Sequence, residues 1–224
     1  MSPSVEAVLF DIDDTLCEYR RSGSELLAVA FERVGVDPFF TQREYHERYN
    51  TFADHAESVR DLRSNCFASI ASEKGYDPET GRALAAVFAA ERDHADVDFL
   101  PGAEAALDAA VDRYRVGVVT NGDPWMQSQK LEGLGVADRF ETVVHAGYDA
   151  PAKPAPDPFH AALDDLDVGP ERAVHVGNSS VSDVPGAKRA GLRAAWLRQD
   201  GVDPDPRPDY VLDSMADLID PPWE

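Results

Sequence analysis

Phe10-Asp11-Ile12-Asp13-Asp14-Thr15-Leu16 follows directly on Ala7-Val8-Leu9. Four apolar residues closed by a burst of acids read as a buried parallel strand running out into an exposed loop. In open α/β sheets, chemistry gathers where strands end at their carboxyl side. Carboxylates crowded there make one another harder to ionise. A hard cation with a taste for oxygen, such as Mg²⁺, would relieve the repulsion. Taken alone, the stretch also fits an acidic turn after a strand.

Downstream the pattern turns helical over residues 17–98. Ser22 with Glu25 and Thr41 with Glu44 have the spacing of capping boxes. Leu26, Leu27, Ala30, Phe31 and Val34 form one stripe ending at Gly35. Tyr45, Tyr49, Phe52, Ala56 and Val59 form another, and Leu62, Cys66, Phe67 and Ile70 a third. Asp77-Pro78-Glu79 opens a further helix faced by Leu84, Val87 and Phe88. This insert is expected to be a small helical bundle, a cap leaving and rejoining the chain beside the acidic loop.

From Phe99 strands and helices alternate, the mark of a parallel sheet. Val116–Val119 ends in Thr120-Asn121-Gly122, with Asp123-Pro124 opening a helix closed by Gly135. Thr142–Ala146 precedes a loop carrying Lys153-Pro154. Ala173–Val176 ends in Gly177-Asn178-Ser179-Ser180, and a helix from about Val184 stops at Gly191. Ala194–Leu197 and Tyr210–Leu212 complete the strands. The strand ends thus offer Asp11 and Asp13, then Thr120, Lys153, Asn178 and Asp183. These are parts for phosphoryl transfer through an aspartyl-phosphate. One carboxylate attacks, a cation and Lys153 offset its charge, and a second carboxyl protonates the leaving oxygen and later activates water.

Asp-x-Asp-x-Thr, Thr-Asn-Gly, Lys-Pro and Gly-x-Ser with a downstream acid, in that order, resemble the haloacid dehalogenase superfamily over nearly the whole chain. Leu100-Pro101-Gly102-Ala103, Lys130-Leu131-Glu132 and Asp183-Val184-Pro185-Gly186-Ala187 are similar to its linking phrases. The resemblance implies an α/β, Rossmann-like core over 1–16 and 99–224 with a helical cap over 17–98. It implies Asp11 as nucleophile and Asp13 as general acid/base. Thr120 and the Asn121 backbone would hold phosphoryl oxygens, and Lys153 would steady nucleophile and phosphate. Mg²⁺ would sit on the Asp11 carboxylate, the Asp13 main-chain carbonyl and an acid of the fourth motif. There the chain departs from the family: Asn178 stands where phosphatases usually carry Asp, leaving Asp183 to supply the carboxylate directly or through water. An acid at position 13, which the dehalogenases lack, points to phosphate esters. The expectation is a Mg²⁺-dependent phosphatase of a small phosphorylated metabolite. Its rivals are a phosphomutase, a catalytically silent relative and, more distantly, a dehalogenase.

The 224 residues carry 42 acids against 21 bases, a formal charge of −21, with only four lysines. Such a surface repels nucleic acid and anionic membranes and suits a protein adapted to high salt. The first strand lies close to Met1, with no space for a signal peptide, and no apolar run reaches membrane-spanning length, so a cytoplasmic location is expected. Cys17 and Cys66 read as free thiols. His46, His55, His94, His145, His160 and His175 lack zinc spacing and read as structural or surface groups. Ser179 and Ser180 do not form a nucleophile elbow. Tyr19, Arg20 and Arg21, where the cap begins, read as leaving-group contacts or as a polar hinge, and Arg60 and Arg63 on the cap are more distant candidates of the same kind. The sequence leaves the substrate and the oligomeric state open.

Overall fold

The computed structural model describes residues 4–53 and 58–224; Ala56 and His55 lie outside them. The chain divides into two compact units, Met1–Glu18 with Val97–Glu224, and Tyr19–Asp96.

The larger unit is built on a six-stranded sheet. Its strands are β1 (Ala7–Phe10), β4 (Arg115–Asn121), β5 (Thr142–Ala146), β6 (Ala173–Gly177), β7 (Arg193–Leu197) and β8 (Tyr210–Leu212). All neighbours are parallel, in the order β5-β4-β1-β6-β7-β8. Counting only these six, that is the 3-2-1-4-5-6 order of a Rossmann-like sheet. Phe10 pairs with Val118 on one side and Val176 on the other, so β1, β4 and β6 run side by side. The order reverses beside β1, and a ligand crevice is expected outside the carboxyl ends there.

Strand β1 is buried throughout because both sheet faces are covered. Ala7, Leu9 and Val119 share a core with Phe159, Ala162 and Leu163 of α7 (Asp157–Leu166) and Val184 and Ala187 of α8 (Asp183–Ala190). Helix α5 (Ala103–Val111) also packs on β4. Helix α6 (Pro124–Leu134) starts where Asp123 accepts the Met126 N–H at 3.1 Å and Pro124 fills the first turn. It stops at Gly135, whose φ of 71° is the left-handed value that favours glycine.

The smaller unit holds α1 (Gly23–Val34), α2 (Gln42–Ala53), α3 (Val59–Glu73) and α4 (Pro78–Glu91). Both expected capping boxes form: Ser22 and Glu25 bond reciprocally, as do Thr41 and Glu44. The bundle closes around Phe67, whose ring meets Phe40 at 4.9 Å, Tyr45 at 5.0 Å and Phe88 at 5.9 Å, all edge-on. Edge-on aromatic pairs of this kind add to what area burial alone provides.

Two strands were not anticipated. β2 (Cys17–Tyr19) and β3 (Val97–Phe99) form a two-stranded ribbon. Cys-Glu-Tyr and Val-Asp-Phe are too short to register as alternation. The ribbon lies where the chain leaves and rejoins the larger unit, and the divisions fall at 18/19 and 96/97 rather than 16/17 and 98/99. Among the described residues no helix is long and apolar enough to cross a membrane. Both cysteines are free and buried, and burial pushes the Cys17 thiol up to about 12 and Cys66 to about 11. Neither forms the reactive thiolate at neutral pH.

Candidate active site

The acidic stretch leaves β1 as a tight turn. The N–H groups of Thr15, Leu16 and Cys17 all donate to the carbonyl of Ile12, and Asp14 takes a left-handed φ of 53°. Asp11 still belongs to the sheet region, its N–H donating to Val176 O at 2.9 Å. It is buried, whereas the Asp13 side chain is 43% exposed.

Lys153 comes from the loop after β5 and is 4% exposed. Its ammonium lies 3.0 Å from Asp11 Oδ1 and 2.7 Å from Asp183 Oδ1, and donates to Val119 O at 2.7 Å. Asn121 fastens that loop to the end of β4: it accepts from Lys153 N at 2.8 Å and donates to Lys153 O at 3.1 Å. Its side chain is thus a strut for the lysine.

Asp183, 1% exposed, opens α8 and turns inward. Oδ1 takes Lys153 and His175 Nε2 (3.1 Å), and Oδ2 accepts the Ser179 N–H at 2.9 Å. Gly177 makes room for it, since a Cβ there would lie 2.4 Å from the Asp183 carboxyl carbon. Asn178 is partly exposed; its amide oxygen has Thr15 Oγ1 at 3.5 Å, and its carbonyl accepts from Trp196 at 2.7 Å. Ser179 Oγ is absorbed in its own turn, accepting from Ser182 N at 3.1 Å.

The electrostatics follow from burial. Burial raises the Asp11 carboxyl to about 6, with Lys153 opposing and Asp183 and Asp13 adding to the rise. Burial also opposes charge on Asp183, but Lys153 and His175 outweigh it and hold this carboxyl below the usual range. Burial works to deprotonate Lys153, and Asp11 and Asp183 overcome it, keeping the ammonium charged. His175 is pushed down by burial against the pull of Asp183, so its imidazole is neutral at pH 7.

Thr120 is fully buried at the end of β4. Gln127 Nε2 shares its two hydrogens among Asp13 Oδ2 at 2.9 Å, Asn121 O at 3.1 Å and Thr120 Oγ1 at 3.2 Å, while the Lys130 ammonium sits on Asp13 Oδ1. Sequence reasoning missed Gln127, Lys130 and His175 as parts of the site. The signal available was weak: two long polar side chains three residues apart on a helix behind Thr-Asn-Gly. The sequence-stretch candidates in the smaller unit have partners of their own there: Tyr19 with His94 at 2.7 Å, Arg20 with Asp96 at 3.6 Å and Arg21 with Glu91 at 3.1 Å. Arg63 lies over the Phe88 ring at 4.9 Å, and Arg60 is exposed.

No cluster of three or more acids, histidines or cysteines placed to hold a metal occurs among the described residues. The Asp11 carboxylate, the Asp13 carbonyl and the Asn178 amide are nonetheless an oxygen-only set. It has the chemistry Mg²⁺ prefers, with one carboxylate charge, and Mg²⁺ commonly completes its shell with water and substrate phosphate.

The family model for haloacid dehalogenase-like hydrolases matches residues 5–191. A phosphoserine phosphatase of Thermus thermophilus is 32% identical over 247 aligned positions, 96% of this chain and 98% of that one. A glyceraldehyde 3-phosphate phosphatase of Methanopyrus kandleri is 29% identical over 96% of each chain. The magnesium-bound HAD-hydrolase YfnB of Bacillus subtilis shares the fold, with a TM-score of 0.76 at 21% identity over 96% of this chain and 97% of the other.

Proposed function

The chain belongs to the haloacid dehalogenase-like hydrolases, and from that premise we propose that it is a Mg²⁺-dependent phosphatase of a small phosphorylated metabolite, acting through an aspartyl-phosphate on Asp11. The observation that carries this reading is the Lys153 ammonium held between Asp11 and Asp183 at the end of β1. Two relatives along nearly the whole chain, both named as phosphatases, support it.

Lys153 offsets the Asp11 charge so that a phosphate can approach, and Asp183 and Asn121 hold the lysine in place. Asp11 attacks phosphorus as the bond to the leaving oxygen breaks, and Asp13 gives that oxygen its proton. Asp13, now a carboxylate, takes a proton from the water that attacks the aspartyl-phosphate, and Asp11 is regenerated with release of phosphate. Thr120 receives a hydrogen bond from Gln127 and so keeps its own hydrogen for a phosphoryl oxygen.

Charge counting supports a cation here. With Asp13 protonated for its acid role, Asp11 and Asp183 cancel Lys130 and Lys153, leaving no positive charge to meet a phosphate dianion. The Asp11 carboxylate, the Asp13 main-chain carbonyl and the Asn178 amide oxygen would hold Mg²⁺, with Asp183 behind them. The ion supplies positive charge where the phosphoryl group develops negative charge.

The test is a phosphate-release screen over phosphorylated metabolites with Mg²⁺ at high KCl, with product analysis to separate release from isomerisation. Asp11→Asn should lower the rate by about 10³-fold or more, the scale on which a covalent nucleophile matters. Undiminished release by the variant would overturn the assignment.

A further inference from the structure

Gln127 and Lys130 take no bond-making part in the chemistry above, yet both are buried polar side chains turned toward it. They stand three residues apart on α6, hence on one helix face. Asp13, by contrast, sits on a loop with a half-exposed side chain and would be free to turn. Lys130 meets its Oδ1 and Gln127 its Oδ2 at 2.9 Å, so both carboxylate oxygens are gripped from the same helix. The same Gln127 amide nitrogen has Thr120 Oγ1 at 3.2 Å and Asn121 O at 3.1 Å, so its two hydrogens are shared among three acceptors that it holds together. The backbone is shaped to admit it. Gly122 has a φ of 144°, and a Cβ there would lie 2.7 Å from Gln127 Nε2.

Burying an ammonium and an amide is a poor way to gain stability, since desolvation consumes most of what the contacts return. Their arrangement is better accounted for by what it does to Asp13. The geometry points to Lys130 and Gln127 as positioning residues that fix the Asp13 carboxyl against Thr120, aiming its proton at the leaving oxygen. Each carboxylate oxygen keeps a further lone pair after accepting one hydrogen bond, so the grip leaves a place for that proton. The inference rests on the proposed phosphatase reading, in which Asp13 is the general acid/base.

A positioning role for the acid separates from a merely structural one by its dependence on the leaving group. An alkyl phosphate needs its leaving oxygen protonated, whereas p-nitrophenolate leaves without help. The full chain is compared with Lys130→Met, Lys130→Gln and Lys130→Arg by kcat/KM on both ester types. General acid–base catalysis supplies 10²- to 10⁴-fold, so Lys130→Met should lose about tenfold or more on the alkyl ester and about threefold or less on p-nitrophenyl phosphate. Lys130→Arg should recover most of the loss, and Lys130→Gln serves where Met disturbs folding. Equal losses on both esters would overturn the role. Crystals of Lys130→Met give a readout independent of turnover: Asp13 should leave its place against Gln127, and an unmoved Asp13 would also overturn it. If the unaltered protein hydrolyses neither ester, the phosphatase reading fails, and the position of Asp13 in the crystals still decides the grip.

Discussion

At the scale of single residues, the site is one buried cation among carboxylates that burial treats differently. Asp11 is raised to about 6 from 3.8 by burial, with Asp183 and Asp13 adding to it. Its protonated form is therefore favoured by folding. That contribution is complete below the unfolded value and is lost as pH rises through about 6. Asp183, held low by Lys153 and His175, has the opposite sign: its contribution is present above the unfolded value and is lost as pH falls. Comparing the protein with Asp11→Asn isolates the first effect, because the amide carries no charge to pay for. In EDTA the variant should be the more stable by about 2–3 kcal/mol at pH 7, shrinking toward nothing near pH 4. Denaturant melts across that range check it; a variant less stable at pH 7 would mean that the Lys153 pair outweighs the burial. On the proposed role of Asp11 as nucleophile, catalysis should run the other way, with kcat/KM of the unaltered protein rising as this carboxyl ionises. Asp11, Thr120, Lys153, Asn178 and Asp183 could be listed from sequence because each follows a recognisable strand, and parallel strands bring their carboxyl ends together. Gln127, Lys130 and His175 could not. The first two lie inside a helix and the third inside a strand, where a buried polar side chain and an exposed one look alike in one sequence.

At the scale of elements, local signals specified helices better than their contacts. Ser22, Asp77 and Asp123 each precede a helix and each accepts from its first turn. The short, mostly apolar runs became the sheet strands, which span 3 to 7 residues. What no propensity announces is how closely two helices approach. Gly81 sits in the second turn of α4, where glycine is ordinarily a weakness. Here it admits α3: a Cβ at Gly81 would lie 2.3 Å from Phe67 O and 2.6 Å from Ala68 N. Backbone cannot yield as a side-chain tip can, so the helices must part and disturb the ring contacts made by Phe67. Overpacking costs about 1–3 kcal/mol and helix propensity returns about 1, so Gly81→Ala should destabilise by up to about 2 kcal/mol. Urea unfolding monitored by helical dichroism measures it, and a stabilised variant would show that the two backbones are not in contact.

At the scale of the whole molecule the governing quantity is charge, and it is unevenly spread. Residues 19–96 hold 14 acids against 10 bases, while the remainder holds 28 against 11. Ion pairs relieve part of this, such as Arg115 with Glu141 at 2.6 Å and Lys188 with Asp209 at 2.7 Å. Exposed pairs of that kind are worth little individually. At about 0.01 M salt the screening length is near 30 Å, so carboxylates repel across an entire unit; at about 1 M it falls to near 3 Å and the repulsion is confined to neighbours. Tm should accordingly climb steeply with KCl over that interval. Replacing the exposed Asp164, Asp200 and Asp220 by Lys takes the formal charge from −21 to −15. The triple variant should then show a higher Tm at low salt and a shallower slope. Sucrose stabilises by exclusion from the surface without screening charge, so it should raise both proteins in parallel and leave the gap open. Thermal melts in KCl and in sucrose make the comparison. Parallel salt curves for the two proteins would mean that self-repulsion is not what the salt removes, and that the acids serve solubility alone.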